Sequence, residues 1–544
     1  MCRTVGVIMK RFLLVPLFLT TIFSSISDDQ SRVSIFHQLY GVPYSPELAQ
    51  PNSLKALDFH APERAVERWY THKFGDSSNT RARLITDNME AWYARWHLLQ
   101  SARKTIDIQY FIVKDDIFGH AMMGILLKKA RAGVQIRLMV DDFGTGSLVK
   151  SEYGGEFLKE LVKTGNVHVK VFNPRMSLGA FLKMPITLNF FKDISVVLAS
   201  NHDKIMIVDS KRTIVGGRNI SKDYLADEKD NEKAYRDTDV LLEGEDVISQ
   251  IQVAFEEEYV RLKNQEILSE EAIDQEKVRY LFLAAKVMKR WMSSESMLNP
   301  EAVPALAHII EELNEKISKF SLLKNYSTWV PFQGQRELPV TILDKNSRAS
   351  AEVKDEIGPT LLELVENAEE EIIIQNAYVV LSDIGKEALT RAVERGVRLV
   401  LLTNSPQSST LDTLVVQAVF ARDLRDIVEV MPPEVQIYGR TGSHLHAKVF
   451  IIDGSITVIG TYNLDQQSER VNSEIVAMIK SRDFAQRNRL LVEKDLAQTT
   501  RYQVIRDENG KIIKRVLPSL NKGWIKDKLF FLLGKVGALF RPLI

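Results

Sequence analysis

The sequence predicts an α/β protein made of two repeats, each a mixed, mostly parallel sheet flanked by helices, related by a pseudo-two-fold axis. Three observations carry this. The pattern H-x-K-x-x-x-x-D occurs twice, as His202-Asp203-Lys204 with Asp209 and as His446-Ala447-Lys448 with Asp453. Each copy runs on, six residues after its aspartate, into Gly216-Gly217-Arg218-Asn219 or Gly460-Thr461-Tyr462-Asn463. Around each copy lies the same strand, helix, glycine and strand, the signature of a βαβ unit. The third observation is length: 544 residues, 45% hydrophobic and 26% charged, is globular composition with room for two or more domains.

In chain order, Lys10 and Arg11 precede an apolar run from Phe12 to Phe23, and Ser25-Ile26-Ser27 follows. This reads as a signal peptide over residues 1–27, with an uncleaved anchor as the alternative. Either puts the body outside the cytoplasm, in the periplasm or peripherally on the outer face of the cytoplasmic membrane. The only cysteine is Cys2, which excludes an intrachain disulfide and a thiolate metal cluster. Residues 28–80 form an N-terminal extension and 81–262 the first half. There Lys104 to Tyr110 is a strand, a helix follows, Gly133 closes it, and Gln135 to Val140 is the next strand.

Residues 263–340, rich in Glu, Lys and Leu, read as a helical connector. The second half spans 341–500. Glu371 to Asn376 matches the first strand, Gly396 matches Gly133, and Arg398 to Leu402 matches the second strand. The spacing between equivalent positions shrinks along the repeat, so the first half carries an insertion ahead of His202. Residues 501–544 form a C-terminal appendage. Its Asn509-Gly510 marks a hairpin of the type I′ kind. In each motif the histidine and lysine stand two apart on a strand and share a face. A tight turn then leads to a second strand that ends at the glycine and brings the asparagine back beside them.

Those residue types suit phosphodiester chemistry. Displacement at an anionic phosphorus needs a nucleophile, a proton for the leaving oxygen, and donors for the remaining oxygens. Two histidines supply the first two and two lysines with two asparagines supply the third, so one motif holds half of a site. A single H-x-K on a strand is ordinarily a solvated face; two copies in matched contexts point to a site. His97, His120 and His444 lack such context, and His444 reads as a wall residue. Asp141-Asp142 reads as a cap or loop, since it has no histidine or cysteine partner at ligand spacing. No metal and no cofactor is expected.

These motifs resemble the phospholipase D superfamily, whose HKD motif is H-x-K-x(4)-D-x(6)-G-[SG]-x-N. The likeness runs from about Leu84 to Glu474. Stretches such as Ile108-Gln109-Tyr110-Phe111 and Leu445-His446-Ala447-Lys448 are similar to the bacterial cardiolipin synthase branch, especially its C type. Asp203 stands where that branch usually has asparagine, and Thr461 where Ser or Gly is usual. The resemblance implies ping-pong transfer, with His202 attacking phosphorus to form a phosphohistidine and His446 as acid and then base. Lys204, Lys448, Asn219 and Asn463 would hold the phosphoryl oxygens. Asp237 and Glu474 would each orient the histidine of the other half. Asp209 and Asp453, the remaining members of the set, would hold loops.

The superfamily divides between lipids and nucleic acids. Lys+Arg and Asp+Glu both number 71, so no basic excess favours nucleic acid. An apolar stretch over 178–198 precedes the first motif. Residues 519–544 are apolar and basic, with Lys522, Lys526, Lys528, Lys535 and Arg541 against Asp527. Both features suit a membrane surface. The expected partner is therefore a phospholipid at a membrane, the chain acts as a monomer, and phosphatidyl transfer giving cardiolipin leads. A hydrolytic phospholipase D, a nuclease of the superfamily and a binding protein with a dead site are the alternatives.

Overall fold

In the computed structural model, the described residues are 54, 57, 62–146, 148, 154–173, 199–261, 264–321, 329–333, 335–347, 354–408, 414–509, 511–520 and 523–537. The signal peptide, the apolar insertion over 178–198 and the last seven residues of the tail lie outside them. After α1 (Ala65–Phe74), the first half holds β1 (Thr80–Ile85), α2 (Asn88–Ser101), β2 (Thr105–Tyr110), α3 (Ile117–Arg131), β3 (Gln135–Asp141), α4 (Gly154–Val162) and β4 (Val167–Phe172). The first motif follows as β5 (Lys204–Val208), β6 (Arg212–Gly216), α5 (Lys222–Leu225), β7 (Asp239–Glu243) and α6 (Glu245–Tyr259). The connector contributes β8 (Gln265–Glu266), α7 (Gln275–Met292), α8 (Ala307–Ser318) and β9 (Glu337–Leu338).

The second half repeats the plan. It runs β10 (Val340–Lys345), α9 (Ile357–Glu366), β11 (Glu371–Asn376), α10 (Asp383–Glu394), β12 (Arg398–Asn404), α11 (Leu414–Val430) and β13 (Gln436–Arg440). The second motif then gives β14 (Lys448–Ile452), β15 (Ile456–Gly460), α12 (Gln466–Arg470), β16 (Glu474–Lys480) and α13 (Arg482–Leu496). The chain ends on β17 (Thr499–Arg506), β18 (Ile512–Val516) and α14 (Trp524–Gly537).

Among the described residues the strands form two nine-stranded sheets, ordered β8-β4-β3-β2-β5-β6-β7-β1-β9 and β10-β16-β15-β14-β11-β12-β13-β17-β18. Both are mixed, as expected, but they are not mostly parallel. Parallel pairing is confined to β2–β3–β4 and β11–β12–β13. The βαβ units account for those pairs, whereas the motif hairpin joins β2 and β11 antiparallel and the strands beyond it meander.

Local signals agree with this plan. Asp116 caps α3 by accepting from the amides of Phe118 and Gly119, and Ser382 caps α10 through Gly385. Gly133 and Gly396 close the equivalent helices at φ 88° and 94°, the left-handed region that favours glycine.

The inner faces of the two sheets share one core, where Ile205, Ile207 and Val215 meet Ile373, Val449 and Ile451 beside α6 and α13. The outer faces differ. In the first half the connector helix α7 brings Trp291 onto α3, and Phe320 packs with them. In the second half the N-terminal extension supplies α1, whose Val66 and Tyr70 are buried. Its Arg64 forks onto Glu370 at 3.2 Å through two nitrogens. The C-terminal hairpin is not an appendage to the second half but its sheet edge, because β17 pairs with β13. The hairpin forms as β17 pairs with β18, and Asp507 accepts from the amides of Asn509 and Lys511; Gly510 of the expected turn lies outside the described residues.

Candidate active site

The two motifs meet at one place. Two isolated parallel bridges cross between the halves, Asn201 to Ser473 and Arg236 to Leu445. Each joins the residue before a histidine to the residue before a carboxylate. That register sets Glu474 beside His202 and Asp237 beside His446. His202 Nδ1 lies 2.9 and 3.0 Å from the two carboxylate oxygens of Glu474, and His446 Nδ1 lies 2.7 Å from Asp237 Oδ2. All four residues are at least nine-tenths buried.

Both carboxylates thus serve the histidine of the opposite half. With Nδ1 donating, Nε2 of each ring is left facing the site. Tyr224 reaches His446 Nε2 from 3.5 Å, and Phe111 and Tyr224 set their rings edge-on to His202 and His446 at 5.0 Å.

The electrostatics are asymmetric. Burial, then the lysines of both motifs, pushes His202 well below its ordinary value; burial and Lys448 push His446 down to about 3. Both shifts favour the neutral imidazole. Burial also lowers Lys204 to about 7 and Lys448 to about 8. Burial raises Glu474 to about 7. Burial acts the same way on Asp237, but His446, Lys448 and Arg218 outweigh it and hold that carboxyl below the carboxylate range. The His446 dyad therefore keeps an ionised acid, while the acid of the His202 dyad is poised to hold a proton.

The lysines return to their own strands. Lys204 Nζ donates to the His202 carbonyl at 2.5 Å, and Lys448 Nζ donates to the His446 carbonyl and lies 3.0 Å from its Nδ1. Asn219 and Asn463 lie just past the second strand of each hairpin, both buried. Asn219 accepts from the Ile112 amide at 3.0 Å, and the Asn463 amide donates to Ser468 Oγ at 3.2 Å.

The motif glycines answer a close approach. A Cβ on Gly217 would lie 2.2 Å from Asp237 Oδ1, and one on Gly460 2.2 Å from the Ile475 carbonyl. Thr461 replaces the equivalent of Gly217. Its hydroxyl accepts from the Ile475 amide at 2.9 Å and also engages Glu474.

Asp209 and Asp453 lie at the far end of the motif strands. Asp209 accepts from the amides of Arg103, Lys104 and Thr105, and Asp453 from those of Glu369, Glu370 and Glu371. They clamp the chain entering β2 and β11 and stand away from the histidines. Asp141 is a loop clamp, accepting from the amides of Phe143, Gly144 and Asn201. Among the described residues no group of three or more His, Cys, Asp or Glu is arranged to hold a metal ion. His444 is a wall, its ring 6.3 Å from that of His446, with burial pushing it down to about 3.

Sequence reasoning did not single out Tyr224, Tyr235 or Ser468. Tyr235 stacks on His446 at 5.8 Å, and Ser468 Oγ donates to Glu474 at 2.5 Å. Tyr235 stands two residues before Asp237, a spacing that offered a signal.

Comparison with known proteins gives the family. The family described as "Cardiolipin synthase, PLD-like domain" matches residues 96–259 and 361–496, one segment in each half. Cardiolipin synthase C of Escherichia coli (strain K12) is 28% identical over 79% of this chain and 87% of its own length. Cardiolipin synthase A of Pseudomonas syringae pv. syringae (strain B728a) is 26% identical over 75% and 67%. The crystal structure of phosphatidylserine synthase from Haemophilus influenzae Rd KW20 covers 85% of this chain and 95% of its own. Its TM-score is 0.54 at 13% identity, a likeness of fold. With both halves matched and both motifs complete, the chain is an enzyme of the phospholipase D superfamily and belongs to its cardiolipin synthase, PLD-like domain family.

Proposed function

We propose that this enzyme transfers a phosphatidyl group between membrane lipids through a phosphohistidine, with phosphatidylglycerol as donor and acceptor and cardiolipin as product. The observation that carries the reading is the crossed pair of histidine–carboxylate dyads, in which each ring is held through Nδ1 by the carboxylate of the other half. His202 Nε2 attacks phosphorus, the N–P bond forms, and the bond from phosphorus to the head-group oxygen breaks. His446 gives that oxygen its proton. The bound phosphodiester brings negative charge against two lysines and two rings, which favours the protonated form of His446.

In the second half-reaction His446 takes the proton of the incoming lipid alcohol, whose oxygen displaces His202. Lys204, Lys448, Asn219 and Asn463 hold the other phosphoryl oxygens.

The tail supports a membrane setting. Helix α14 docks on α11 through Phe530 and Leu533, and Gly534 packs against the Ala418 carbonyl. Its other face exposes Ile525, Leu532 and Val536 alongside Lys528 and Lys535, an apolar stripe with cations suited to an anionic bilayer surface. Among the described residues no helix is long and apolar enough to cross a membrane. We place the protein, exported, at the outer face of the cytoplasmic membrane.

The test is purified enzyme with phosphatidylglycerol vesicles. The proposal expects cardiolipin and free glycerol. Phosphatidic acid alone would make it a hydrolase, and DNA cleavage without lipid turnover would make it a nuclease.

A further inference from the structure

We infer that an apolar pocket in the second half, beside the loop that carries Asn463, takes one acyl chain of the lipid substrate. A cavity of about 280 Å³ lies between α9, α10 and the outer face of β11 and β14. Its walls are apolar, among them Leu362, Ile374, Ile384, Phe450 and Leu464. At about 30 Å³ each, that is room for roughly nine groups the size of a water or a methylene.

The fold does not require this space. Asp209 and Asp453 clamp equivalent residues, and Val113 and Val379 make equivalent bridges, so the segment around β2 corresponds residue for residue to the segment around β11. In the first half the same place is filled by Trp92, Trp96 and Phe118, with Trp92 5.7 Å from Trp96 and 5.2 Å from Phe118. The corresponding residues of the second half are Gly358, Leu362 and Ile384. Where the first half has three buried aromatic rings, the second has a glycine and two aliphatic side chains, and Ile384 is left 63% exposed.

The cavity lies along the same strand and loop as the second motif. Side chains alternate along β14, so His446, Lys448, Phe450 and Ile452 share one face. The first two belong to the site and the last two line the cavity, a run from Lys448 to Ile452 of roughly 13 Å. Tyr462 and Leu464, on either side of Asn463, form its roof.

The charged residues at its lining are all acids: Asp355, Asp465 and Glu469. They disfavour a free fatty carboxylate and leave an uncharged chain as occupant. The phospholipid carries such a chain, and the source follows from the proposed lipid reaction, on which this part of the inference rests.

Binding is tested apart from turnover. Full-length protein is titrated with 1-dodecanol and with dodecanoate, and the shift in unfolding temperature is followed. Wild type is expected to show saturable stabilisation by dodecanol and a weaker response to dodecanoate. Leu362→Trp with Ile384→Phe, which restores the rings of the first half, is expected to lose at least tenfold in dodecanol affinity. Ala388→Leu narrows the same cavity by one side chain and serves if the double variant does not fold. Equal dodecanol binding in wild type and a folded filled variant overturns the pocket. In a second arm KM is compared for phosphatidylglycerols with short and long chains. A filled variant should lose the preference for long chains. If it keeps that preference while losing dodecanol, the occupant is a separate neutral amphiphile and the assignment to the substrate chain is wrong.

Discussion

Asp203→Asn should make the protein more stable above neutral pH and leave it unchanged in mild acid. Asp203 lies in the first motif, 2% exposed, with Gln109 Nε2 donating to its Oδ2 at 2.6 Å. Burial and the charge of Glu474 raise its carboxyl to about 7, and Lys204 and Arg261 offset only part of this. Glu258 and Asp344, both buried, face it electrostatically and are raised too.

In the unfolded chain an aspartate titrates near ~3.9. The folded value is the higher one, so the folded state holds the proton more tightly. The stability this gives is fully present below about pH 4 and is lost as pH rises through about 7. A shift of about 3 units corresponds to roughly 4 kcal/mol for an isolated group, and sharing among three acids reduces the part owed to Asp203 to about 1–3 kcal/mol. Asparagine has the same shape, keeps an acceptor for Gln109 and does not titrate. Unfolding free energies from urea titrations between pH 4 and 8.5 should therefore coincide at the acid end and separate by about 1–3 kcal/mol at pH 8, with the variant higher. Parallel curves, or a variant less stable at pH 8, would refute the reasoning.

Three further outcomes follow from the site and the tail. His202→Ala and His446→Ala should each lower kcat by at least about 10³-fold in a mixed-micelle transfer assay, and the double variant should lose little more, because the rings act as a unit. Gly217→Ala puts a methyl group where Asp237 Oδ1 now sits 2.2 Å away. It should lower kcat by about 10²- to 10⁴-fold by displacing that carboxylate from His446, with an altered histidine resonance in NMR. On α14, Leu532→Asp should reduce cosedimentation with anionic vesicles and leave the unfolding temperature unchanged. Phe530→Ala, on the docked face, should instead destabilise the helix by up to about 3 kcal/mol, read by hydrogen exchange.

The motifs were legible because their chemistry is local. His, Lys, Asp and Asn recur at fixed spacing on one hairpin, and a hairpin needs no distant partner to set it. The βαβ units were legible from alternation and from Gly133 and Gly396. What could not be read is set by contacts between distant segments. Nothing in the N-terminal extension marks α1 for the core of the second half, since Arg64 and Glu370 are 306 residues apart. The mostly antiparallel pairing was missed because strand periodicity is the same in either direction, and β17 reads as a lone hairpin until β13 is beside it. Tyr224 and Tyr235 look like ordinary core residues of the first half, yet they pack on a histidine of the second. The cavity is invisible for the same reason: Leu362 and Ile384 are unremarkable until they are compared with Trp96 and Phe118.

The central claim is that both motifs make one site working through a covalent histidine. Acid-quenched enzyme with phospholipid carrying labelled phosphorus tests it most directly, followed by peptide mapping of wild type and His446→Ala. Label is expected on His202 in wild type, and on the same residue but formed more slowly in His446→Ala, which has lost the acid of the first half-reaction and the base of the second. Turnover in wild type with no labelled histidine in either protein, or label that persists in His202→Ala with transfer intact, would contradict it.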